Sequence, residues 1–295
     1  MDRVQLLEMV RERQLGEINR RDFLVKGASL LGSSAAALSL LSACTSTDGN
    51  IASPVVNEAA APIEPGTESA DGLTMGVVSY DYQDEQIMGY LAYQPNQDPR
   101  PIVIVVQEWW GLNEHIKDLA RRYAQAGYVA LAPDLYRGVV TTEPNEARKE
   151  AIALTSRDAV GEIAAAIAYL KSQPYTTDKV GITGFCMGGA LVYMSAANLT
   201  EINAGAAYYG RPLDAAEAAK VTAPIHTFLG TDDGISADAV GAMHKVFDDN
   251  GVPNVFQLYE GAQHSFFNDT RASYHPTAAE DAWAKTLAWF STHLQ

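Results

Sequence analysis

Three short stretches carry side chains able to do covalent chemistry on a carbonyl carbon. The first is Gly184-Phe185-Cys186-Met187-Gly188-Gly189, where a cysteine stands two residues from a glycine on either side. A nucleophile held on a sharp strand-to-helix turn needs that spacing, because the strained backbone leaves no room for side chains two positions away. The N-terminus of the helix that follows favours thiolate over thiol. A nucleophile of this kind also needs a base, and the base needs a group to orient it. Glu260-Gly261-Ala262-Gln263-His264-Ser265-Phe266-Phe267 supplies His264, on a loop among small residues rather than on an apolar helical face. Gly230-Thr231-Asp232-Asp233 supplies two carboxylates. The chain order is then nucleophile, acid, histidine, one of the known orders of such a triad. The Gly-x-x-Asp spacing favours Asp233, with Asp232 as the alternative.

The elements needed to position these groups can be read from the hydrophobic periodicity. Val77–Tyr82 and Ile87–Tyr93 predict antiparallel strands joined by a turn at Gln83-Asp84-Glu85. Pro101–Val106 is a continuous apolar run, as expected of a strand covered on both faces. Ile116–Gly127 has helical spacing and closes on glycine, and Tyr128–Ala132 returns to strand. Helices are predicted over Arg157–Leu170, Ala190–Ala197 and Thr277–His293, and strands over Val180–Thr183, Ala204–Tyr209, Ile225–Leu229 and Asn254–Leu258. This alternation specifies an α/β fold: one mostly parallel sheet flanked by helices, in a single domain. Both candidate loops follow strand ends, where an open sheet of this kind places its sites. The other histidines read as structural or solvated: His226 within a strand, His244 and His293 on helices, His115 opening one, and His275 without a partner at useful spacing.

The bulk numbers exclude other classes. The 295 residues are 47% hydrophobic and 19% charged, which supports one sizeable core. A formal charge of -15 without any Lys/Arg cluster excludes a nucleic-acid binder. Two cysteines, Cys44 and Cys186, exclude a disulfide framework, and no CxxC or HxxH spacing offers a zinc site, so neither metal nor cofactor is expected.

Residues 1–44 look like an export signal. Arg20-Arg21 precede a mildly apolar Ala/Ser/Leu run that ends in Leu41-Ser42-Ala43-Cys44, resembling a twin-arginine signal closed by a bacterial lipoprotein cleavage site. The resemblance implies passage through the twin-arginine machinery, a periplasmic or cell-envelope location, and a possible lipid tether at Cys44. Residues 45–72, rich in Thr, Ser, Ala, Pro and acids, read as a flexible linker. The ordered domain is expected over residues 73–295.

From about Leu73 to the end the chain resembles the dienelactone hydrolase (carboxymethylenebutenolidase) family of the α/β-hydrolase superfamily. The segments that carry the likeness are Gln107-Glu108-Trp109-Trp110-Gly111-Leu112-Asn113, Ala132-Pro133-Asp134-Leu135-Tyr136, the Cys186 turn and Gly261-Ala262-Gln263-His264-Ser265-Phe266. The resemblance implies hydrolysis of a small ester or lactone by Cys186, His264 and Asp233 through a thioester. It also implies that Glu108 holds the resting thiol until substrate binds, and that the backbone N–H groups of Met187 and Trp109 hold the oxyanion. Arg137, Ser265, Phe266 and Asn268 are the positions expected to contact substrate, with Trp109, Trp110 and Phe267 as further apolar lining. One departure stands out: the family's lactone enzymes carry an arginine four residues after the histidine, where this chain has Asn268, and Arg137 is offset by one from the place of a second arginine. A neutral ester or lactone therefore suits the residues as well as an anionic one. A general carboxylesterase or thioesterase, or a non-catalytic exported lipoprotein, are the competing readings. Intact mass of the membrane fraction is expected to show a chain that begins at Cys44 and carries acyl chains; an unmodified N-terminus at another residue would overturn the tether.

Overall fold

The computed structural model describes residues 55–56, 72–95, 97–155 and 157–295. Arg20, Arg21, Cys44 and nearly all of the expected linker lie outside the described residues. Pro54–Gln295 is one compact unit.

At its centre eight strands hydrogen-bond in the order β10-β9-β8-β7-β4-β5-β3-β2. β2 (Thr74–Tyr82) and β3 (Glu85–Tyr93) form an antiparallel hairpin, and β3 runs antiparallel to β5 (Val129–Pro133). The hairpin turn is Gln83-Asp84 alone, with Gln83 at φ 53°, so Glu85 begins the second strand instead of ending the turn. The remaining neighbours are parallel: β4 (Arg100–Val106) lies between β5 and β7 (Thr176–Phe185), followed by β8 (Ile202–Tyr208), β9 (Ile225–Asp232) and β10 (Asn254–Gln263). Ile102–Val106 are wholly removed from solvent. Each such side chain contributes about 1.5–3 kcal/mol of transfer free energy, which explains why the run shows no polar alternation.

The flanking helices are α1 (Glu114–Gln125), α2 (Pro144–Thr155), α3 (Ala159–Lys171), α4 (Met187–Asn198), α5 (Ala215–Ala218), α6 (Ala237–Asp249) and α7 (Pro276–His293). Two of them, α2 and α5, are additions to the sequence reading, and α6 is the helix on which His244 was expected. α6 starts where Ser236 accepts from the Ala239 N–H at 3.2 Å, and it buries Val240, Met243, His244 and Phe247 while carrying β9 back to β10. The two-residue strand β6 (Val139–Val140) pairs with β1 (Val55–Val56), so the expected linker contributes one short strand. His275, which had no assignment, caps α7: its Nδ1 accepts from the Ala278 N–H at 3.3 Å.

α4 begins three residues earlier than the periodicity predicts, and packing is the reason. Gly188 and Gly189 are poor helix formers, yet a Cβ on Gly188 would strike the carbonyl oxygens of Val106 and Gln107, and one on Gly189 would meet Tyr208 O. A Cβ on Gly184 would strike Gly188 O. The backbones of β4, β7, β8 and α4 therefore touch directly at this point. Gly188→Ala is expected to destabilise by about 1–3 kcal/mol through overpacking, whereas Gly241→Ala on α6, whose added Cβ meets nothing within 4 Å, is expected to stabilise by about 0.5–1 kcal/mol. Paired thermal melts check both signs.

Candidate active site

Cys186 occupies the turn between β7 and α4 at φ 56° and ψ -112°. A side-chain-bearing residue in that region costs on the order of 1–3 kcal/mol. The surroundings hold it there: its N–H donates to Tyr208 O at 3.1 Å, and its carbonyl accepts from Gly189 N at 3.1 Å and Ala190 N at 3.3 Å. The thiol is free and half-buried. Met187 is the first residue of α4, so its N–H has no acceptor within the helix. Among the described residues no backbone carbonyl takes the N–H of Met187 or of Trp109.

Asp233 and His264 follow the C-terminal ends of β9 and β10. The two strand ends are pressed together, since a Cβ on Gly230 would strike Ala262 O. His264 Nδ1 lies 3.1 Å from Asp233 Oδ1 and 3.0 Å from Oδ2. The Asp233 side chain has no solvent exposure, and Oδ1 also accepts from Ile235 N at 2.9 Å. Asp232, the alternative acid, is exposed and bonds only with the neighbouring Thr231 hydroxyl, at 3.2 Å.

The Cys186 side chain lies close enough to influence the acidity of the imidazole. Burial alone would lower the pKa of His264, but the hydrogen bond with Asp233, the nearby Cys186 thiol and the Asp233 charge outweigh it and raise it to about 10. With Nδ1 donating to Asp233, Nε2 is the nitrogen left to face the thiol. The edge of the ring meets Tyr209 at 5.1 Å between centroids.

Glu108, two residues beyond β4, is wholly buried. Its carboxylate accepts from Asn268 Nδ2 at 2.8 Å and from Ser265 Oγ at 3.3 Å. Ser265 and Asn268 therefore face Glu108 instead of an open pocket, and Asn268 is itself only 1% exposed. Phe266 does not line a pocket either. With Ser265 at φ 63°, the next side chain enters the core, where it packs on Tyr209 and Tyr259 at 5.4 and 5.2 Å. Phe267 is likewise core, against Phe185 and Tyr208. Trp109 and Trp110 are half-exposed in an edge-to-face pair at 4.9 Å, with the Arg271 guanidinium 4.2 Å from the Trp110 ring.

Arg137 is committed elsewhere. Its guanidinium makes two bonds to Glu162, at 2.7 and 2.9 Å, and another to Glu85 at 2.8 Å. Glu162 is buried, and a buried carboxylate requires such a partner.

Two site residues escaped the sequence reading. Tyr209 is buried at φ 40° with its hydroxyl unpartnered, and burial keeps that phenol protonated. Tyr136 donates to Met187 Sδ at 3.3 Å, beside the nucleophile turn. Their signal was positional, since each lies just past the C-terminal end of a strand. Of the remaining histidines, His226 and His244 are core residues with pKa values lowered by burial, His226 to about 4. His115 is buried with Nδ1 3.4 Å from Asp269. Among the described residues no group of His, Cys, Asp or Glu side chains could hold a metal ion.

A strained Cys186 turn between β7 and α4 in the middle of a mostly parallel sheet, with Asp233 and His264 at the ends of β9 and β10, is the arrangement of an α/β-hydrolase. More narrowly, the chain belongs to the dienelactone hydrolase family, whose profile matches residues 87–294. It is 35% identical over 240 residues to a protein of Methylorubrum extorquens provisionally named carboxymethylenebutenolidase, covering 75% of this chain and 82% of the relative. A crystal structure assigned as a dienelactone hydrolase from Klebsiella pneumoniae superposes with a TM-score of 0.68 at 33% identity, covering 74% of this chain and 98% of that one. A dienelactone hydrolase-like promiscuous phosphotriesterase from metagenomic libraries gives 0.68 at 26% identity, covering 75% and 99%. The chain is thus a hydrolase of ester or lactone type.

Two measurements follow from the Asp233–His264 pair. An NMR titration of the His264 ring is expected to have its midpoint near 10, and lower in Asp233→Asn. Because that value is raised over the ordinary one of about 6.5, the pair's contribution to stability is complete below about 6.5 and is lost as pH rises through the folded value. Asp233→Asn is expected to keep the fold and lower turnover by roughly 10²–10⁴-fold, with Asp232→Asn close to wild type; the reverse ranking would make Asp232 the triad acid.

Proposed function

We propose that the protein hydrolyses small, uncharged esters or lactones through a Cys186–His264–Asp233 triad and a thioester intermediate. The observation that carries this reading is the strained cysteine turn beside a histidine whose Nδ1 is held by a fully buried carboxylate. His264 already holds as imidazolium the proton that the thiol gives up, Cys186 Sγ attacks the carbonyl carbon, and Asp233 holds the ring in the required orientation. The oxyanion forms beside the Met187 and Trp109 N–H groups. Collapse of the tetrahedral adduct breaks the C–O bond, and the imidazolium returns its proton to the leaving alkoxide. A water deprotonated by His264 then splits the thioester, which releases the acid and restores the thiol.

The preference for uncharged acyl groups rests on the cations. Arg137 is spent on Glu162 and Glu85, and Asn268 stands where the family's lactone enzymes carry arginine. The same facts favour a general carboxylesterase or thioesterase as the second reading. For location, the Arg20-Arg21 signal and Cys44 support an exported protein tethered to the cell envelope. An enzyme working there benefits from a thiol that is only half-exposed, because open thiolates oxidise.

The test is hydrolysis of a dienelactone beside a short p-nitrophenyl ester by the wild type and by Cys186→Ala. Turnover of the ester over the anionic lactone, reduced about 10³-fold or more in the variant, is expected. Preference for the lactone would restore the anionic substrate, and activity that survives in Cys186→Ala would remove the cysteine mechanism. Absence of turnover on either compound would favour a non-catalytic lipoprotein.

A further inference from the structure

We propose that Arg271 is a positioning residue: stacked on the Trp110 ring, its guanidinium latches the loop that carries His264 to the loop that carries the Trp109 N–H, and so sets the spacing between those two groups. The inference rests on the cysteine mechanism above, in which both act on one carbonyl.

The need for a latch follows from the sheet. The Trp109 loop follows β4 and the His264 loop follows β10, with β7, β8 and β9 lying between them. At about 4.8 Å per strand, the two strand ends start about 19 Å apart. Backbone ladders register neighbouring strands, so alignment of these two loops falls to the contacts they make on meeting. In the interior, Glu108 accepts from Ser265 and Asn268. Nearer the surface, where both residues are half-exposed, Arg271 lies on Trp110. The first contact fixes the residue before Trp109 and the second fixes the residue after it, so the peptide that presents the Trp109 N–H is held from both ends.

Each side of the latch has a firm base. The Arg271 N–H donates to Asn268 O at 3.1 Å, its carbonyl accepts from Tyr274 N at 3.1 Å, and His275 N closes the loop onto Phe266 O at 2.9 Å. The Arg271 backbone is therefore tied to His264 through a short series of turns. Across the gap, the Trp110 carbonyl accepts from Thr141 N at 3.1 Å. Gly111, at φ 91°, lies so near β6 that a Cβ there would strike Val139 O. Between these two anchored backbones the guanidinium carbon stands 4.2 Å from the centre of the Trp110 ring, and Trp109 packs edge-to-face on that ring at 4.9 Å. A planar cation over an indole is a strong form of this contact, and partial burial strengthens it. Neither group titrates near neutral pH, so the latch holds across the working range.

The test is steady-state hydrolysis of a short p-nitrophenyl ester by the full chain, at a temperature where melts show every variant folded. Arg271→Leu and Trp110→Leu are each expected to lower kcat about tenfold with KM within about twofold, the rate equivalent of one cation–π contact. The double variant is expected to lose no more than the larger single loss. Arg271→Lys keeps the charge and Trp110→Phe keeps a ring face, so each is expected to lose less than its Leu counterpart. A loss confined to KM would make Arg271 a substrate contact, and an unchanged kcat or losses that multiply in the double variant would remove the coupling; each of these overturns the proposal. Amide hydrogen exchange reads the latch without substrate. In both Leu variants the N–H groups of Asn268 and His275 are expected to exchange faster, while those of Gly189 and Ala190 beside the Cys186 turn keep their wild-type rates. Wild-type exchange in the His264 loop would also overturn the latch. Failure of ester turnover in the wild type would sink the proposed function, and exchange alone then decides whether the two loops are joined.

Discussion

Direct contact between backbones at Gly184, Gly188 and Gly189 is the constraint on which the site depends. Where side chains are absent, β4, β7, β8 and α4 approach to atomic contact, and the chain can make its turn at Cys186 in a conformation that L-residues avoid. The candidate site is laid out from that turn. The Tyr208 carbonyl fixes the cysteine N–H, α4 begins at the next residue, and Gln107-Glu108 passes across the first turn of the helix. Local strain is tolerated because five fully buried residues of β4 and their neighbours over-determine the position.

Around this turn the molecule solves a recurring electrostatic problem in three ways. Asp233 is shielded completely and paired with an imidazole that it helps keep cationic. Glu162 is shielded and paired with Arg137, which also reaches the exposed Glu85. Glu108 is shielded and has only neutral donors. Removing one partner of any such set leaves a buried charge unanswered, at a cost that exceeds the worth of the interaction itself. Arg137 is the clearest illustration, because the demand of Glu162 prevents it from serving a ligand.

Much of this was legible in the sequence. The Gly-x-Cys-x-Gly spacing, the apolar run of β4 and the loop placement of His264 each have a local cause, and local causes leave local patterns. Spacing favours Asp233 over Asp232, and the turn that buries one carboxylate against His264 and exposes the other is not legible in it. What could not be read were pairings between distant residues. Arg137 meets Glu162 across 25 positions and Asn268 meets Glu108 across 160, and no periodicity encodes either. Phe266 was misjudged for a backbone reason, since the positive φ of Ser265 sends its neighbour inward. Gly188 and Gly189 read as part of the turn in sequence, yet they belong to α4 and are what lets the helix dock.

β10 closes one edge of the sheet and pairs only with β9, with a break in register between Tyr259 and Gln263. The loop that follows it carries His264, Ser265 and Asn268 together. An edge strand with one neighbour is among the first elements to open in sub-global fluctuations. Fraying of this single strand would withdraw His264 and both donors to Glu108 at once while the Cys186 turn, anchored among central strands, stays intact. The site therefore divides into a rigid part, Cys186 with the start of α4, and a part carried past an edge strand, His264 with Ser265 and Asn268, and warming would loosen the second before the first.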